Sequence, residues 1–270
     1  MNPLTLSEIW IYPVKSLGGI KLETASVRRK GLQYDRRWML IDQRGVAMTQ
    51  RVYPEMALFK VRIEKEEVLI DYKHSVQNIS SAKFGIASLP SSPPLAAEVW
   101  DDHVQVHEVA PAVSEWFSRH LKTHCRLVVF PEKNPRPVDP RYSISNEHVS
   151  LADAYPFLII GQKSLDDLNS RLQHPVPMNR FRPNFVFTGG KAFMEDTWKE
   201  VTIGNLRFAA VKKSDRCVLT TVNQDSGVRG VEPLKTLSTY RKLDNKVYFG
   251  ENMVALDEGR VSVGDRIIPG

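Results

Sequence analysis

The stretch FKVRIEKEEVLIDY, residues 59–72, carries the pattern that decides the fold class. Its first half alternates apolar Phe59, Val61 and Ile63 with charged residues, and its second half alternates again from Val68 to Tyr72. Period-two alternation is typical of a β-strand with one buried face. The charged residues 64–67 between the two halves predict a turn, so the stretch predicts two consecutive strands.

Similar signals recur on both sides of this stretch. An apolar run at 38–41 ends in a polar turn at 42–45, and Val99 and Val104 flank a hairpin candidate at Asp101-Asp102. Later apolar runs predict further strands, at 157–160, 185–187, 201–203, 206–208, 218–222 and 261–263. Small β domains commonly close into barrels, which removes exposed sheet edges. We therefore expect a mainly β protein with some α (α+β), in which an N-terminal β-barrel-like domain precedes a second β-barrel domain with flanking helices.

Two helices and one loop interrupt the predicted strands. Apolar residues at helical spacing run from Pro111 to Leu121 and predict the first helix. Ser164 is the predicted cap of the second helix. The Ser- and Pro-rich residues between Lys73 and Pro94 predict an exposed loop.

A cluster of prolines suggests where the chain divides. Residues 131–140 contain four of them, which excludes this stretch from a helix or the centre of a sheet. We expect a first domain over 1–125, a Pro-rich linker over 126–148 and a second domain over 149–270.

Composition excludes several classes of protein. No apolar run reaches the roughly 18 residues of a membrane span, and residues 1–10 show no signal-peptide pattern, so we expect a cytoplasmic protein. The net charge of +6 favours an anionic partner, but the cations are scattered, which argues against nucleic acid and against a membrane surface. Two cysteines are too few for a Cys-rich zinc or iron–sulfur site.

The stretch KKSDRCVLTTVN, residues 212–223, is the most unusual in the chain. It places Cys217 after three cations and before Thr220 and Thr221, and nearby cations favour the thiolate form that ligates metals. The alternative is a small apolar residue at the start of a strand. We interpret Cys125, before the apolar run 127–129, as an ordinary core residue.

Three other segments offer cations for an anion. Pro183 keeps Arg182 out of the helical region, and an arginine held at a turn can fork onto a phosphate, although it can equally be a surface residue. Lys15 and Ser16 precede two glycines, and Arg36 stands at the start of a predicted strand. We find no His-x-x-x-His, no nucleophile elbow and no Gly-x-Gly-x-x-Gly motif.

Taken together and in this order, these segments resemble the MOSC-domain family over nearly the whole chain. YPVKS (12–16) and DRRW (35–38) resemble its N-terminal β-barrel domain, whereas FRPN (181–184), RCVLTTV (216–222) and FGEN (249–252) resemble the MOSC domain. The resemblance implies a molybdenum–molybdopterin cofactor (Moco) whose metal is bound by Cys217. It implies catalytic roles for Cys217 and Asn223, the latter where relatives often carry Asp. The residues that it assigns to cofactor binding are Lys15, Ser16, Arg36, Asp153, Arg182, Asn184, Arg216, Thr220, Thr221 and Asn252.

The family resemblance also implies an activity. It predicts a reductase of N-hydroxylated small molecules such as amidoximes and hydroxylamines. Because the chain lacks a motif for an electron-carrying group, we expect a separate electron-transfer protein, ferredoxin-like or a cytochrome, as the donor. One alternative is a Moco carrier or sulfur-transfer module without reductase activity, and another is a basic nucleic-acid-binding β-barrel.

Overall fold

The computed structural model describes residues 3–72, 80–87 and 93–270. Within these residues the chain forms three α-helices: α1 Pro111–Leu121, α2 Gln162–Ser170 and α3 Leu234–Tyr240. The strands outnumber them: β1 Thr5–Ile11, β2 Ile20–Leu22, β3 Thr24–Arg28, β4 Gly31–Leu32, β5 Trp38–Ile41, β6 Phe59–Glu64, β7 Glu67–Tyr72, β8 Ser81–Gly85, β9 Leu95–Val99, β10 Asp102–Glu108, β11 Arg126–Val129, β12 Phe157–Gly161, β13 Phe185–Thr188, β14 Glu200–Ile203, β15 Leu206–Asp215, β16 Lys242–Leu243, β17 Lys246–Ala255, β18 Gly259–Ser262 and β19 Ile267–Pro269. The expectation of a mainly β protein with some α is confirmed.

The stretch 59–72 forms the predicted pair of strands. Strands β6 and β7 pair antiparallel, from Phe59 opposite Tyr72 to Glu64 opposite Glu67. Their alternating apolar side chains face one core, which also receives Phe117 and Leu121 of α1. The helix predicted after Pro111 is therefore confirmed in place and in the face that it buries.

The predicted exposed loop between residues 73 and 94 is wrong for residues 81–85. They form β8, which pairs with β7 and buries Phe84 against Trp38 at 5.4 Å between ring centroids. Ser and Lys occupy the outward positions of β8, so its composition alone does not distinguish it from a loop. The parts of that prediction at 73–79 and 88–92 lie outside the described residues.

The first four residues of the predicted linker 126–148 form the strand β11. Strand β11 lies inside a four-stranded sheet of order β5-β11-β10-β9, where Leu127 and Val128 are fully buried. The prolines begin only at Pro131, and the residues before it pair freely with both neighbouring strands.

Two of the sheets combine strands from both predicted domains. The largest sheet has nine strands in the order β19-β14-β15-β17-β12-β13-β1-β2, with β16 beside β17, so the N-terminal strands β1 and β2 complete a sheet built mainly from residues after 156. Conversely β18 pairs with β3. An aromatic cluster of Phe157, Phe185 and Phe208 lies in the core of this sheet. Residues near the N-terminus thus reach the part of the molecule that contains Cys217.

Two local predictions in the second half are wrong. Helix α2 begins at Gln162 without a side-chain cap, because the Ser164 hydroxyl donates to Glu195 Oε1 at 2.7 Å and accepts from the Phe193 amide. Residues 218–221 form a 3-10 helix rather than a strand, with Thr220 and Thr221 hydroxyls donating to carbonyls three residues earlier. Helix α3 was not predicted.

Within the described residues, none of the helices has the length and apolar character that crossing a bilayer requires.

A buried carboxyl group in β17 predicts a pH-dependent stability. Glu251 is 4% exposed, and burial raises its pKa to about 8, helped by Asp196 and opposed by Lys213. Between the ordinary carboxyl value and pH 8 the folded state binds more protons than the unfolded state, so the free energy of unfolding falls as pH rises, by up to about 1.4 kcal/mol per pH unit. We expect Glu251→Gln to remove this decline in urea denaturation curves recorded from pH 5 to pH 8.

The control for this prediction is Glu115→Gln on the exposed face of α1. It is expected to leave the pH dependence of unfolding as in the wild type. Parallel stability curves for the wild type and Glu251→Gln would refute the assignment.

Candidate functional site

Cys217 lies where a long strand ends. Strand β15 stops at Asp215, the Arg216 amide donates to the Val247 carbonyl, and Cys217 takes an extended conformation before the 3-10 helix. Its side chain is partly exposed, whereas Cys125 is 1% exposed and packs in a core. Burial raises the pKa of the Cys125 thiol, which disfavours its thiolate. Of the two thiols, only that of Cys217 can reach a ligand from solvent.

The sulfur of Cys217 has a neighbour that sequence reasoning missed. Arg51 Nε donates to Cys217 Sγ at 3.1 Å, and Arg51 Nη2 donates to Asp153 Oδ2 at 2.7 Å. Arg51 stands between the 3-10 helix 54–58 and the strand β5 that precedes it, more than 160 positions before Cys217. No local motif marks such an arginine, because the contact exists only after the chain has folded.

Lys15 and Asp153 join the same cluster. Lys15 Nζ donates to Asp153 Oδ1 at 2.6 Å and to the Leu151 carbonyl at 2.8 Å. Burial lowers the pKa of Lys15 to about 8, against the opposing effect of Asp153. Burial would raise the pKa of Asp153, but Lys15 and Arg51 together hold it well below the ordinary value. The carboxylate is thus ionised and shared between two cations.

A second missed arginine shapes the loop that carries Asp153. Arg136, 2% exposed, donates to the carbonyls of Ser150, Ala152 and Asp153. Arg136 belongs to the stretch predicted as a linker. Its side chain therefore connects that stretch to the backbone of the loop that carries Asp153.

Two of the predicted cofactor-binding arginines contact the same aromatic ring. The guanidinium groups of Arg36 and Arg182 lie 4.4 Å and 4.1 Å from the ring centroid of Tyr12. Arg182 has a positive φ of 55° and donates to the Leu17 carbonyl at 2.7 Å, which agrees with its predicted position outside the helical region. Burial lowers the pKa of Arg182 to about 10.

The two glycines after Ser16 have a packing role. A side chain at Gly19 would meet the Tyr12 ring at 2.5 Å, and one at Gly18 would meet the Phe59 carbonyl at 2.8 Å. They let the chain pass close to the Tyr12 ring and to the Phe59 carbonyl.

Most predicted residues surround one cavity. Ten of the twelve line it: Lys15, Ser16, Arg36, Asp153, Arg182, Asn184, Arg216, Cys217, Thr220 and Asn252. Six cationic side chains line the cavity: four were predicted from the sequence, and Arg51 and Lys212 were not. The lining includes two carboxylates, those of Asp153 and Asp215. A cavity with this excess of positive charge favours an anionic ligand.

Thr221 and Asn223 are not among the lining residues of this cavity. Thr221 is 4% exposed and donates to the Val218 carbonyl. Asn223 Oδ1 accepts from the amides of Asp225 and Ser226 at 2.9 and 3.1 Å, so its side chain stabilises the following turn. The structure therefore gives no support to a catalytic role for Asn223.

The donors present fit a large anionic group better than a bare metal ion. Within the described ranges no group of three or more His, Cys, Asp or Glu side chains could hold a metal. Arg216 Nε is buried without a hydrogen-bond partner among the described residues, although its two terminal nitrogens donate to Ser214 and Phe181. A single soft sulfur amid cations suits a metal that arrives with its own anionic ligand.

Comparisons with known proteins cover both halves of the chain. Residues 3–124 match the MOSC N-terminal beta barrel domain, and residues 146–268 match the MOSC domain. The chain is 33% identical to mitochondrial amidoxime-reducing component 1 of Mus musculus over 97% of this chain and 81% of that protein. It is 35% identical to mitochondrial amidoxime reducing component 2 of Bos taurus, over 89% and 73%. A molybdenum cofactor sulfurase of Arabidopsis thaliana is 30% identical over 98% of this chain, which spans 35% of that longer protein.

Proposed function

Because this chain belongs to the MOSC-domain family, we propose that it binds a molybdenum–molybdopterin cofactor through the Cys217 thiolate and reduces N-hydroxylated small molecules. The observation that carries the proposal is the partly exposed sulfur of Cys217 in the wall of a cavity where six cationic side chains outnumber two carboxylates. A high-valent metal bound by dithiolene sulfurs accepts a soft thiolate as a further ligand. The relatives named above are associated by name with amidoxime reduction and with the molybdenum cofactor.

The residues around the cavity have distinct tasks in this proposal. Arg182 and Arg36 both lie against the Tyr12 ring and offer charge to a phosphate. Arg216 offers its Nε, which has no hydrogen-bond partner in the described part of the chain, and Asn184 and Asn252 offer polar side chains at the cavity wall. Asp153 pairs with Lys15 and with Arg51, and so keeps Arg51 in place beside the sulfur.

When bound, the cofactor supplies two electrons for cleavage of the N–O bond. The reaction also consumes two protons and releases water, leaving the amidine or amine. The chain contributes the sulfur ligand, the charges that bind the pterin and the mouth through which the substrate enters.

The decisive experiment measures metal and pterin in protein purified from cells that make the cofactor. We expect close to one molybdenum and one pterin per chain, and reduction of benzamidoxime with reduced viologen as the donor. Purified protein without molybdenum under these conditions would overturn the proposal.

Loss of either of two buried cations is expected to weaken cofactor retention. Lys15→Ala and Arg182→Ala each remove a positive charge from the cavity wall. We expect the amount of pterin that copurifies with each variant to fall by roughly 10-fold or more. Pterin is measured by fluorescence after oxidation, and thermal unfolding shows whether each variant has folded.

The matched control is Arg141→Ala, because Arg141 is exposed and paired with Asp139 outside the cavity lining. Its pterin content should equal that of the wild type. Unchanged pterin in both Lys15→Ala and Arg182→Ala would place the anion elsewhere.

A second function is favoured by the match to a molybdenum cofactor sulfurase. In that case the chain would carry the cofactor or present it for sulfur transfer, with no reductase activity of its own. Protein that contains molybdenum but fails to reduce benzamidoxime, hydroxylamines or related substrates with reduced viologen would favour this alternative.

A further inference from the structure

We propose that Arg51 is a positioning residue that aims the Cys217 sulfur at the metal, and that Trp100 holds Arg51 in that position. The inference rests on the proposed function, since it concerns the residue that would bind the metal. Arg51 belongs to the segment between β5 and β6, so a residue of the N-terminal region controls a ligand near the end of β15.

The guanidinium of Arg51 donates from two of its nitrogens to two different partners. Its Nε donates to Cys217 Sγ at 3.1 Å while its Nη2 donates to Asp153 Oδ2 at 2.7 Å. The planar fork of arginine fixes the angle between these two bonds, so the position of Asp153 sets the position of the sulfur. A lysine has the same charge but no rigid fork, and cannot hold both partners in one plane.

Asp153 is itself held from the other side. Lys15 takes its second carboxylate oxygen, and Arg136 takes the Asp153 carbonyl. The chain of contacts therefore runs from buried Lys15 through Asp153 and Arg51 to the sulfur. Such a relay of fixed partners restricts a ligand more than a single hydrogen bond does.

Trp100 covers the flat face of this guanidinium. The Arg51 guanidinium carbon lies 4.4 Å from a ring centroid of Trp100, in the turn between β9 and β10. Trp100 remains 52% exposed and has a positive φ of 58°, whereas the Arg51 side chain is only 18% exposed. The left-handed backbone of Trp100 costs free energy, and the stacking of its ring on Arg51 is a favourable contact that offsets part of that cost.

The backbone of Arg51 is anchored as well. Arg229 donates to the Arg51 carbonyl from the loop that follows the 3-10 helix after Cys217. The side chain of Arg51 thus contacts Cys217, and its backbone contacts the loop that follows.

This geometry has a consequence for the bound metal. An N–H donated to a ligand sulfur withdraws electron density from it and so favours the reduced metal, which raises the reduction potential. Removing Arg51 should therefore lower the molybdenum potential and alter the spectrum of the Mo(V) state. A role confined to folding would change neither in protein that remains folded.

The experiment compares Arg51→Lys, Trp100→Ala and Trp100→Phe with the wild-type holoenzyme. The matched control is Arg241→Lys, because Arg241 is 15% exposed, pairs with Asp196 and lies 4.2 Å over Phe193, with no contact to Cys217 among the described residues. Each protein is assayed for molybdenum, melting temperature, Mo(V) electron paramagnetic resonance during a redox titration, and kcat and KM for benzamidoxime.

For Arg51→Lys we expect a more negative potential, a changed Mo(V) spectrum and a kcat lower by roughly 10- to 100-fold, with KM altered far less. Loss of molybdenum from this variant but not from Arg241→Lys, at an unchanged melting temperature, supports the same role during metal capture. Trp100→Ala should shift the potential in the same direction by a smaller amount, and Trp100→Phe should restore it.

Two results overturn the inference in different ways. A wild-type potential and spectrum in folded Arg51→Lys would show that the fork does not position the sulfur, and the same result in folded Trp100→Ala would show that Trp100 does not hold Arg51; both would leave the proposed function intact. Absence of molybdenum from the wild type would overturn the proposed function and this inference together.

Discussion

Replacing Cys217 by alanine is expected to abolish reduction of benzamidoxime while leaving the protein folded. The side chain of Cys217 is partly exposed, and among its described contacts the hydrogen bond from Arg51 is the one that the substitution removes. Loss of the sulfur removes the protein's ligand to the metal, so the expected effect on activity is the loss of all measurable turnover. Activity with reduced viologen and molybdenum content are measured on the same preparations.

Cys125→Ala is the control for this experiment. Cys125 is 1% exposed and contacts Ser118, so its loss should lower the free energy of unfolding by roughly 0.5–3 kcal/mol, as other core truncations do, without removing activity. Equal turnover by the wild type and Cys217→Ala would defeat the proposed chemistry.

The purified chain is expected to show no reduction with NADH or NADPH alone, yet to turn over with reduced viologen. Reduction of an N-hydroxylated substrate takes two electrons, which must reach the metal again after each cycle. Besides Cys217 the chain has one cysteine, far short of the four that commonly hold an iron–sulfur cluster, and it carries no Gly-x-Gly-x-x-Gly motif for a dinucleotide. Stopped assays with each donor, with and without an added ferredoxin-like or cytochrome protein, measure the difference.

A separate donor protein should also show a salt dependence. The chain has a net charge of +6, so an acidic donor would be steered to it electrostatically and donor-dependent turnover should fall as ionic strength rises. Viologen-dependent turnover serves as the control, since a cationic dye gains nothing from that attraction. Robust NADH-dependent turnover by the isolated chain would overturn this view of the electron supply.

Alternation of apolar and polar residues predicted the strands well where one face of the strand is buried and the other is exposed to solvent. Residues 59–72 pair as their alternation predicts, because each apolar side chain faces a core that both strands share. The same reasoning failed at 218–222, where hydroxyls of Thr220 and Thr221 bond to nearby carbonyls and favour a 3-10 helix. It also failed at 81–85, where the outward residues are those of a loop.

By itself the sequence determined the class of fold, the family and the thiol on which the proposal depends. Those features depend on the order of residues within short segments, which can be recognised from the sequence directly. Only the tertiary structure decided that Arg51 donates to Cys217, that Arg136 holds the loop of Asp153 and that Asn223 serves a turn. It also decided that β1 and β2 complete a sheet built mainly from the second half. The physical reason is that hydrogen bonds and sheet pairing depend on distance in space, and nothing in the residues around position 51 indicates which sulfur, far along the chain, will come within 3.1 Å of it.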